Sequence, residues 1–177
     1  HVRERLHGDL AYFNVNQHVN YTNLCNKLCR FCAFQRLPGQ DGAYLMTPEQ
    51  VADKVRAQLG EPVTEVHMVA GVWPKIPYEY YLEILRAVKA VRPAIHIKAF
   101  TMVELDQIAK VARKPLEQVL PELISAGLGS VPGGGATCPQ VPKFWAHIAG
   151  PSIYKVDGDQ VMTRACNGIE DGCSGGV

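Results

Sequence analysis

The sequence of 177 residues predicts an α/β fold with a parallel sheet, organised as part of a (β/α) TIM-type barrel. Up to residue 136, short runs rich in β-branched and aromatic residues alternate with stripes of apolar residues at helical spacing. About four strand–helix units can be counted, roughly half of what a closed eight-stranded barrel needs. The expected architecture is therefore a partial barrel, truncated to about its first half.

The predicted strands are short and bounded by turn residues. Extended segments are expected at residues 11–16, 19–22, 63–69, 95–100 and 128–131. The segment at 63–69 alternates apolar and polar residues, and Ala70 and Gly71 end it. The last one runs into three consecutive glycines.

The predicted helices have recognisable start and stop signals. Thr47 is expected to be an N-cap, with Pro48 at the first helical position and Gln50 completing a capping box. Further helices are expected at residues 78–92, 103–113 and 116–126. Gly127 should close the last of these. Pro121 lies inside that helix and is expected to kink or restart it, at a cost of about 3 kcal/mol.

The composition argues against two classes of function. The formal net charge is +1, without the basic excess typical of nucleic-acid-binding surfaces. No run approaches the roughly eighteen consecutive apolar residues that a membrane helix needs. No charged-then-apolar leader is visible, although the chain begins with His1. We expect neither a nucleic-acid-binding surface nor a membrane-spanning segment.

The character of the sequence changes after residue 136. The segment 137–177 has no helical stripe and few alternating runs, and Pro, Gly and Cys are scattered through it. We therefore predict two regions, a barrel region at 1–136 and a tail at 137–177. The tail is either a disordered end or not the natural continuation of the gene.

The strongest functional signal is the spacing Cys25-x3-Cys29-x2-Cys32. This is the signature of radical S-adenosylmethionine (SAM) enzymes. Three thiolates can ligate three irons of a [4Fe–4S] cluster, which leaves the fourth iron open to the amino and carboxylate groups of SAM. The motif follows the first predicted strands, where barrel active sites lie. We expect these three cysteines to be the cluster ligands.

The alternatives are a zinc site or reduced bystander thiols. A structural zinc site needs four ligands, usually supplied as two pairs. Cys166 and Cys173 lie too far away in the tail to form a convincing second pair, and His18 precedes the loop at no recognised spacing. The cluster is therefore the preferred interpretation.

Three further features are candidates for binding SAM. Phe31 precedes the last cysteine, where radical SAM enzymes place an aromatic residue near the adenine. Ala70 and Gly71 end a strand, where such enzymes use a glycine-rich turn to contact the methionine part; the alternative is an ordinary turn. Gly133, Gly134 and Gly135 permit close approach of a ligand, or form a flexible connection.

Several polar residues on the predicted strands have two possible orientations. His67, His96 and Lys98 alternate with apolar neighbours, so they point either into a barrel or outward against helices. We favour a structural role for each. Thr101 and Glu104 follow the C-terminal end of a strand, and Glu104 is expected to be a carboxylate of the first helical turn.

With these segments placed, residues 2–136 resemble the N-terminal half of the aminofutalosine synthase family, radical SAM enzymes of menaquinone biosynthesis. The resemblance is carried by NVNQHVNYTNLCNKLCRFCAF, EVHMVAGVWPKIPYEYYLEILRAVK, HIKAFTMVEL and AGLGSVPGGGA. Related families make cyclic dehypoxanthine futalosine and the deazaflavin of cofactor F420. The segment Lys98–Glu104 favours the aminofutalosine family, because the cyclase tends to carry a Ser-Pro-Pro type turn there.

The resemblance implies a function. The cluster would be held by Cys25, Cys29 and Cys32, and SAM would be a consumed co-substrate. The 5′-deoxyadenosyl radical would add to 3-[(1-carboxyvinyl)oxy]benzoate, and rearrangement with loss of the carboxylate carbon would give aminofutalosine. It also implies an electron donor such as flavodoxin or ferredoxin, and a reducing cytoplasm as the location.

The sequence also departs from the family. Ala70 stands where members usually have glycine, and the added methyl is expected to crowd the SAM amino group. Members follow the triple glycine with Ala-Glu, whereas Ala136 is followed here by Thr137. A frameshift near codon 136 would explain this, and the chain alone is then expected to be inactive or poorly folded. The alternative from another class is a non-catalytic metal-binding remnant.

Overall fold

The structure is a computed structural model that describes residues 2–11, 13–29, 32–133, 154–157 and 160–161. Its helices are α1 (Val2–His7), α2 (Pro48–Arg56), α3 (Tyr78–Val91), α4 (Met102–Ala112) and α5 (Leu116–Ala126). Its strands are β1 (Asn16–His18), β2 (Glu65–Met68), β3 (His96–Ala99), β4 (Ser130–Val131), β5 (Tyr154–Asp157) and β6 (Gln160–Val161).

The strands form one sheet in the order β1-β2-β3-β4-β5-β6. The first four are parallel, and a helix or helix pair connects each to the next. Strand β5 pairs with β4 in the antiparallel direction, and β6 pairs with β5 in the same way. The predicted α/β class with a parallel sheet is confirmed.

The observed strands differ from the predicted ones at the two ends of the chain. Strand β1 lies at Asn16–His18, across the junction of the two extended segments predicted at 11–16 and 19–22. Helix α1 and strands β5 and β6 lie where no element was predicted. The boundary predicted at residue 136 lies outside the described residues and stays a prediction.

The predicted helices are confirmed with small shifts at their ends. Thr47 caps α2, and both bonds of the capping box with Gln50 are present. Helix α5 continues from Leu116 to Ala126 through Pro121, so the helix does not restart at this proline, and the alternative of a kink stays a prediction. Packing of the buried face of α5, including Leu123, compensates for the missing backbone hydrogen bond.

The main core lies between one face of the sheet and the helices. Val66 and Met68 of β2 and Ile97 of β3 are fully buried and belong to the same apolar cluster as Ile84 and Leu85 of α3. Helix α3 packs between α2 and α5. Because side chains alternate along a strand, the remaining residues of β2 and β3 must lie on the opposite face.

That opposite face is polar. It carries Glu65 and His67 from β2 and His96 and Lys98 from β3. In a (β/α) barrel the helices lie outside, and the helices of the main core described above pack on the apolar face, so the polar face corresponds to the inner face of such a barrel. We call it the inner face below. Among the described residues, none of the helices combines the length and apolar character required to cross a bilayer.

Candidate functional site

The C-terminal ends of the four parallel strands lie at one edge of the sheet. The cysteine loop, residues 23–44, follows β1, and Ala70–Gly71 follows β2. Thr101 begins α4 directly after β3, and Gly133 follows β4. Parallel topology therefore brings together four segments that are far apart in sequence.

The base of the cysteine loop is closed by hydrogen bonds between its two ends. The Asn23 amide nitrogen donates to the Gly42 carbonyl at 2.8 Å, and its amide oxygen accepts from the Tyr44 N–H at 2.8 Å. The Thr22 hydroxyl donates to the Tyr44 carbonyl at 2.6 Å. These bonds hold the two ends of the loop together at the edge of the sheet.

Within the loop, Cys25, Cys29 and Cys32 are all partly exposed. The Cys25 N–H donates to the Arg36 carbonyl at 3.0 Å, and the Cys32 N–H donates to the Cys29 carbonyl at 3.1 Å. Leu28 has a left-handed backbone with φ of 52°. This turn between the first two cysteines lets all three thiols lie on one short loop.

The cysteine loop packs against the segments that follow β2 and β3. Cys25 and Cys29 contact a small apolar cluster formed by Val72 and Val103. The Asn26 N–H donates to the Val72 carbonyl at 3.0 Å. The first two cysteines therefore pack against apolar side chains from the segments after β2 and β3.

Gly71 is the point of closest approach between this loop and β2. A Cβ on residue 71 would lie 2.2 Å from the carbonyl oxygen of Leu24, and its N–H donates to the Thr22 carbonyl at 2.9 Å. The glycine is required by packing against the cysteine loop. This gives the turn a structural role in addition to the predicted contact with SAM, which stays a prediction.

The loop offers a donor set that fits a [4Fe–4S] cluster and SAM. Three cysteines lie within eight residues, one for each of three irons. The side-chain oxygens of Asn26 and Gln35 are buried without a hydrogen-bond partner. Buried acceptors are normally paired. Both lie in the cysteine loop, where the amino or hydroxyl groups of SAM would be suitable donors.

The geometry does not match a single-ion site. Within the part of the chain that the structure describes, no three His, Cys, Asp or Glu side chains converge to hold one metal ion. His18, considered as a fourth zinc ligand, instead lies beside His67, with ring centroids 4.6 Å apart. A structural zinc needs its four ligands around one point, whereas each thiolate of a cubane binds a different iron.

Glu104 is the centre of a buried hydrogen-bond network at the same edge. One carboxylate oxygen accepts from the Tyr21 hydroxyl at 2.8 Å and from the Ala70 N–H at 3.1 Å. The other accepts from the Thr101 N–H at 2.8 Å and the Thr101 hydroxyl at 2.7 Å. The predicted first-turn position is confirmed. The carboxylate also joins the segments after β1, β2 and β3.

Burial has a large effect on this carboxyl group. It raises the pKa of Glu104 from 4.5 to about 7, although the bonds from Thr101, Tyr21 and Ala70 each favour the ionised form and lower it. The pKa of Tyr21 is also raised, by burial first and then by the neighbouring Glu104. The network is therefore sensitive to protonation near neutral pH.

The other predicted SAM-binding residues are only partly described. Gly133 is half-buried at the end of β4. Phe31, Gly134 and Gly135 lie outside the described residues, and their roles stay predictions. For His67 and Lys98 the sequence favoured a structural role, and the structure places both side chains on the inner face. Their alternation with buried residues was the available signal, but only the position of the helices identified that face as the inner one.

Comparison with known proteins identifies the family. The family model described as Radical SAM superfamily matches residues 19–137. An aminodeoxyfutalosine synthase from Streptomyces coelicolor is 44% identical over 135 residues, which cover 76% of this chain and 35% of the relative. A cyclic dehypoxanthine futalosine synthase from Halalkalibacterium halodurans is 40% identical over 127 residues, covering 72% and 34%.

A relative with another named activity is similarly close. The 5-amino-6-(D-ribitylamino)uracil–L-tyrosine 4-hydroxyphenyl transferase from Methanopyrus kandleri is 41% identical over 144 residues, covering 80% of this chain and 39% of the relative. The chain therefore spans between a third and two fifths of the length of these curated relatives.

A solved structure supports the same fold. The crystal structure of methylornithine synthase superposes with a TM-score of 0.54 at 18% identity, covering 73% of this chain and 35% of that chain. The cysteine loop at the C-terminal edge of the parallel sheet and the family match over residues 19–137 lead to one conclusion: the chain belongs to the Radical SAM superfamily.

Proposed function

We propose that the protein to which this chain belongs is an aminofutalosine synthase. It transfers the 5′-deoxyadenosyl group of SAM to the enol ether of 3-[(1-carboxyvinyl)oxy]benzoate. The observation that carries the proposal is the similarity to aminodeoxyfutalosine synthases over the region that contains the cysteine loop, at 44% identity.

The residues of this chain have distinct parts in the proposal. Cys25, Cys29 and Cys32 would hold the cluster, and the cluster would supply the electron that cleaves SAM. The N–H groups of Ala70 and Gly71 are already bonded to Glu104 and to the Thr22 carbonyl. Any contact of this turn with the methionine part of SAM would therefore use its carbonyl oxygens.

The turn is held from two sides, which supports a positioning role. Glu104 holds the Ala70 N–H, and Leu24 in the cysteine loop lies directly against Gly71. Movement of the turn would therefore disturb the loop that carries the cysteines. In this proposal the methyl group of Ala70 would lie near the SAM amino group. The carbonyl oxygens of the turn would accept hydrogen bonds from that amino group beside the methyl.

The first alternative is an enzyme related to cyclic dehypoxanthine futalosine synthase, which is supported by the 40% identity to such a relative. The second is a non-catalytic metal-binding remnant. It is motivated by the tail at 137–177, whose sequence has no helical stripe and few alternating runs.

The test begins with the gene. Sequencing across codon 136 and translating the three frames downstream determines which protein to assay. That protein is then reconstituted anaerobically with iron and sulfide and incubated with dithionite, SAM and 3-[(1-carboxyvinyl)oxy]benzoate. Mass spectrometry of the products distinguishes the proposed function from its two alternatives.

Aminofutalosine as the product supports the proposal. If 5′-deoxyadenosine is formed from SAM but the enol ether is not consumed, the protein is a radical SAM enzyme with a different substrate. An iron-loaded protein that yields neither product is the metal-binding remnant. Cys25→Ser should abolish cluster loading, and where the printed frame is confirmed Cys173→Ser is the matched control, because it changes a cysteine outside the motif.

A further inference from the structure

Three basic side chains lie side by side on the inner face of the sheet. The strand register pairs His18 of β1 with His67 of β2, and His67 with Lys98 of β3. Residues paired in register on neighbouring parallel strands point to the same face. His18, His67 and Lys98 therefore form one row across three strands, which we call the basic row.

The basic row is ordered by its own contacts. The His18 and His67 rings are tilted by 42° with centroids 4.6 Å apart. Lys98 Nζ lies 2.7 Å from Glu65 Oε1, and both side chains are largely buried. An ammonium group has three donors. The ion pair with Glu65 fixes Lys98 in place and leaves it able to donate to a second anion.

His67 has an unused polar atom in this row. Its Nε2 is buried and has no hydrogen-bond partner, an arrangement that folded proteins rarely leave uncompensated. The lowered pKa of His67 has burial as its first cause, and Lys98 then lowers it more than Glu65 raises it. The lowered pKa leaves the imidazole neutral at pH 7, and it can donate from Nε2 in the tautomer that carries the proton on that nitrogen.

We propose that the basic row is a binding site for a carboxylate group of the substrate. The two oxygens of a carboxylate can accept one hydrogen bond from His67 Nε2 and one from Lys98 Nζ. A carboxylate would satisfy the orphaned nitrogen in the tautomer that has its proton on Nε2, and it would lie beside the Lys98 ammonium, where a cation would be repelled. This inference deepens the proposed function and rests on it for the identity of the substrate, a dicarboxylate.

The position of the row suits a substrate rather than SAM. His67 precedes the Ala70–Gly71 turn by three residues, which corresponds to roughly 10 Å along a strand. The row therefore lies deeper on the inner face than the edge where the cysteine loop is located. A carboxylate bound there would leave the rest of a substrate pointing toward that edge.

The test measures binding of 3-[(1-carboxyvinyl)oxy]benzoate to the reconstituted protein in the presence of SAM, by anaerobic titration calorimetry. We expect His67→Phe to weaken binding by about tenfold to a hundredfold, the usual range for a hydrogen bond to a charged group. Lys98→Met alone would leave Glu65 unpaired, so the double variant E65Q/K98M is used in addition. His7→Gln, on exposed α1, is the matched control.

A structural effect is separated from a binding effect by two readouts. Iron content and the far-ultraviolet circular dichroism spectrum of the variants should match those of the unmodified protein, which shows that they fold and load the cluster. In the unmodified protein labelled with ¹⁵N-histidine, the His67 ring signals should shift when the dicarboxylate is added. Ring signals that stay unchanged with a carboxylate that the protein binds, or wild-type affinity in His67→Phe and E65Q/K98M, would overturn the inference.

Other carboxylates distinguish failure of the site from failure of the proposed function. If L-tyrosine binds and the dicarboxylate does not, and the binding depends on His67 and Lys98, the site is supported and the proposed substrate is wrong. If the dicarboxylate is converted to aminofutalosine with no dependence on the row, the function stands and this inference is wrong. Absence of any carboxylate binding overturns the inference.

Discussion

Gly71 lies so close to Leu24 that a Cβ at residue 71 would stand 2.2 Å from the Leu24 carbonyl oxygen. The contact joins the turn after β2 to the start of the cysteine loop. Since the opposing atoms belong to the backbone, they cannot rotate away as a side chain would. The alignment of the three thiols with the edge of the sheet therefore depends on a glycine at this position.

We predict that Gly71→Ala displaces the cysteine loop and lowers cluster loading. Overpacking of this kind costs about 1–3 kcal/mol, and here the displaced segment carries the ligands. Iron per chain and the visible absorption of the reconstituted cluster are the measurements. Gly60→Ala is the control, because a Cβ there meets nothing within 4 Å. Equal iron contents in the two variants would contradict the prediction.

We predict that Tyr21→Phe destabilises the fold more than Tyr80→Phe. The Tyr21 hydroxyl donates to the buried Glu104 carboxylate, whereas the Tyr80 hydroxyl donates to the neutral Met46 carbonyl. Hydrogen bonds to charged groups contribute about 1.5–3 kcal/mol and neutral ones about 0.5–1.5 kcal/mol. Urea unfolding of both variants measures the difference. A larger loss in Tyr80→Phe would argue that Glu104 is protonated.

We predict that stability falls as the pH rises through neutrality. The pKa of Glu104 is 4.5 in the unfolded chain and about 7 in the fold, because burial disfavours the charge. The protonated carboxyl is favoured in the fold, so its contribution to stability is fully present below pH 4.5. It is lost as the pH rises from 4.5 through the folded pKa of about 7. At 1.36 kcal/mol per pH unit the loss is about 3 kcal/mol. Glu104→Gln should lack this slope in urea unfolding between pH 5 and 8. A slope of opposite sign would mean that the four donors outweigh burial.

We predict that Pro121→Ala stabilises the chain. Pro121 is exposed and lies inside the continuous helix α5, where it cannot donate the backbone hydrogen bond of a helical residue. Replacing an interior proline by alanine can recover up to about 3 kcal/mol. The midpoint of urea unfolding should rise. Pro115→Ala is the control, because Pro115 is the N-cap of α5. The backbone N–H of an N-cap has no partner within the helix, so this variant should not gain comparable stability.

Local signals predicted most of the fold between residues 47 and 131. The capping box of Thr47 and Gln50 appears as expected because its bonds involve residues three apart. Prediction failed where long-range contacts decide the conformation. Strand β1 is three residues long, and its limits depend on pairing with β2, which lies almost fifty residues later. Helix α5 continues through Pro121 because its apolar face is buried in the core.

Local order along the chain is enough to reveal the cysteine spacing, the family resemblance and the parallel α/β class. The tertiary structure alone decided that Glu104 joins Tyr21 and Ala70, and that His67 and Lys98 share the face opposite the helices. A strand's periodicity separates its two faces but does not say which one the helices cover. That assignment follows from the packing of helices on the apolar face, which leaves the polar face to form the inside of the site.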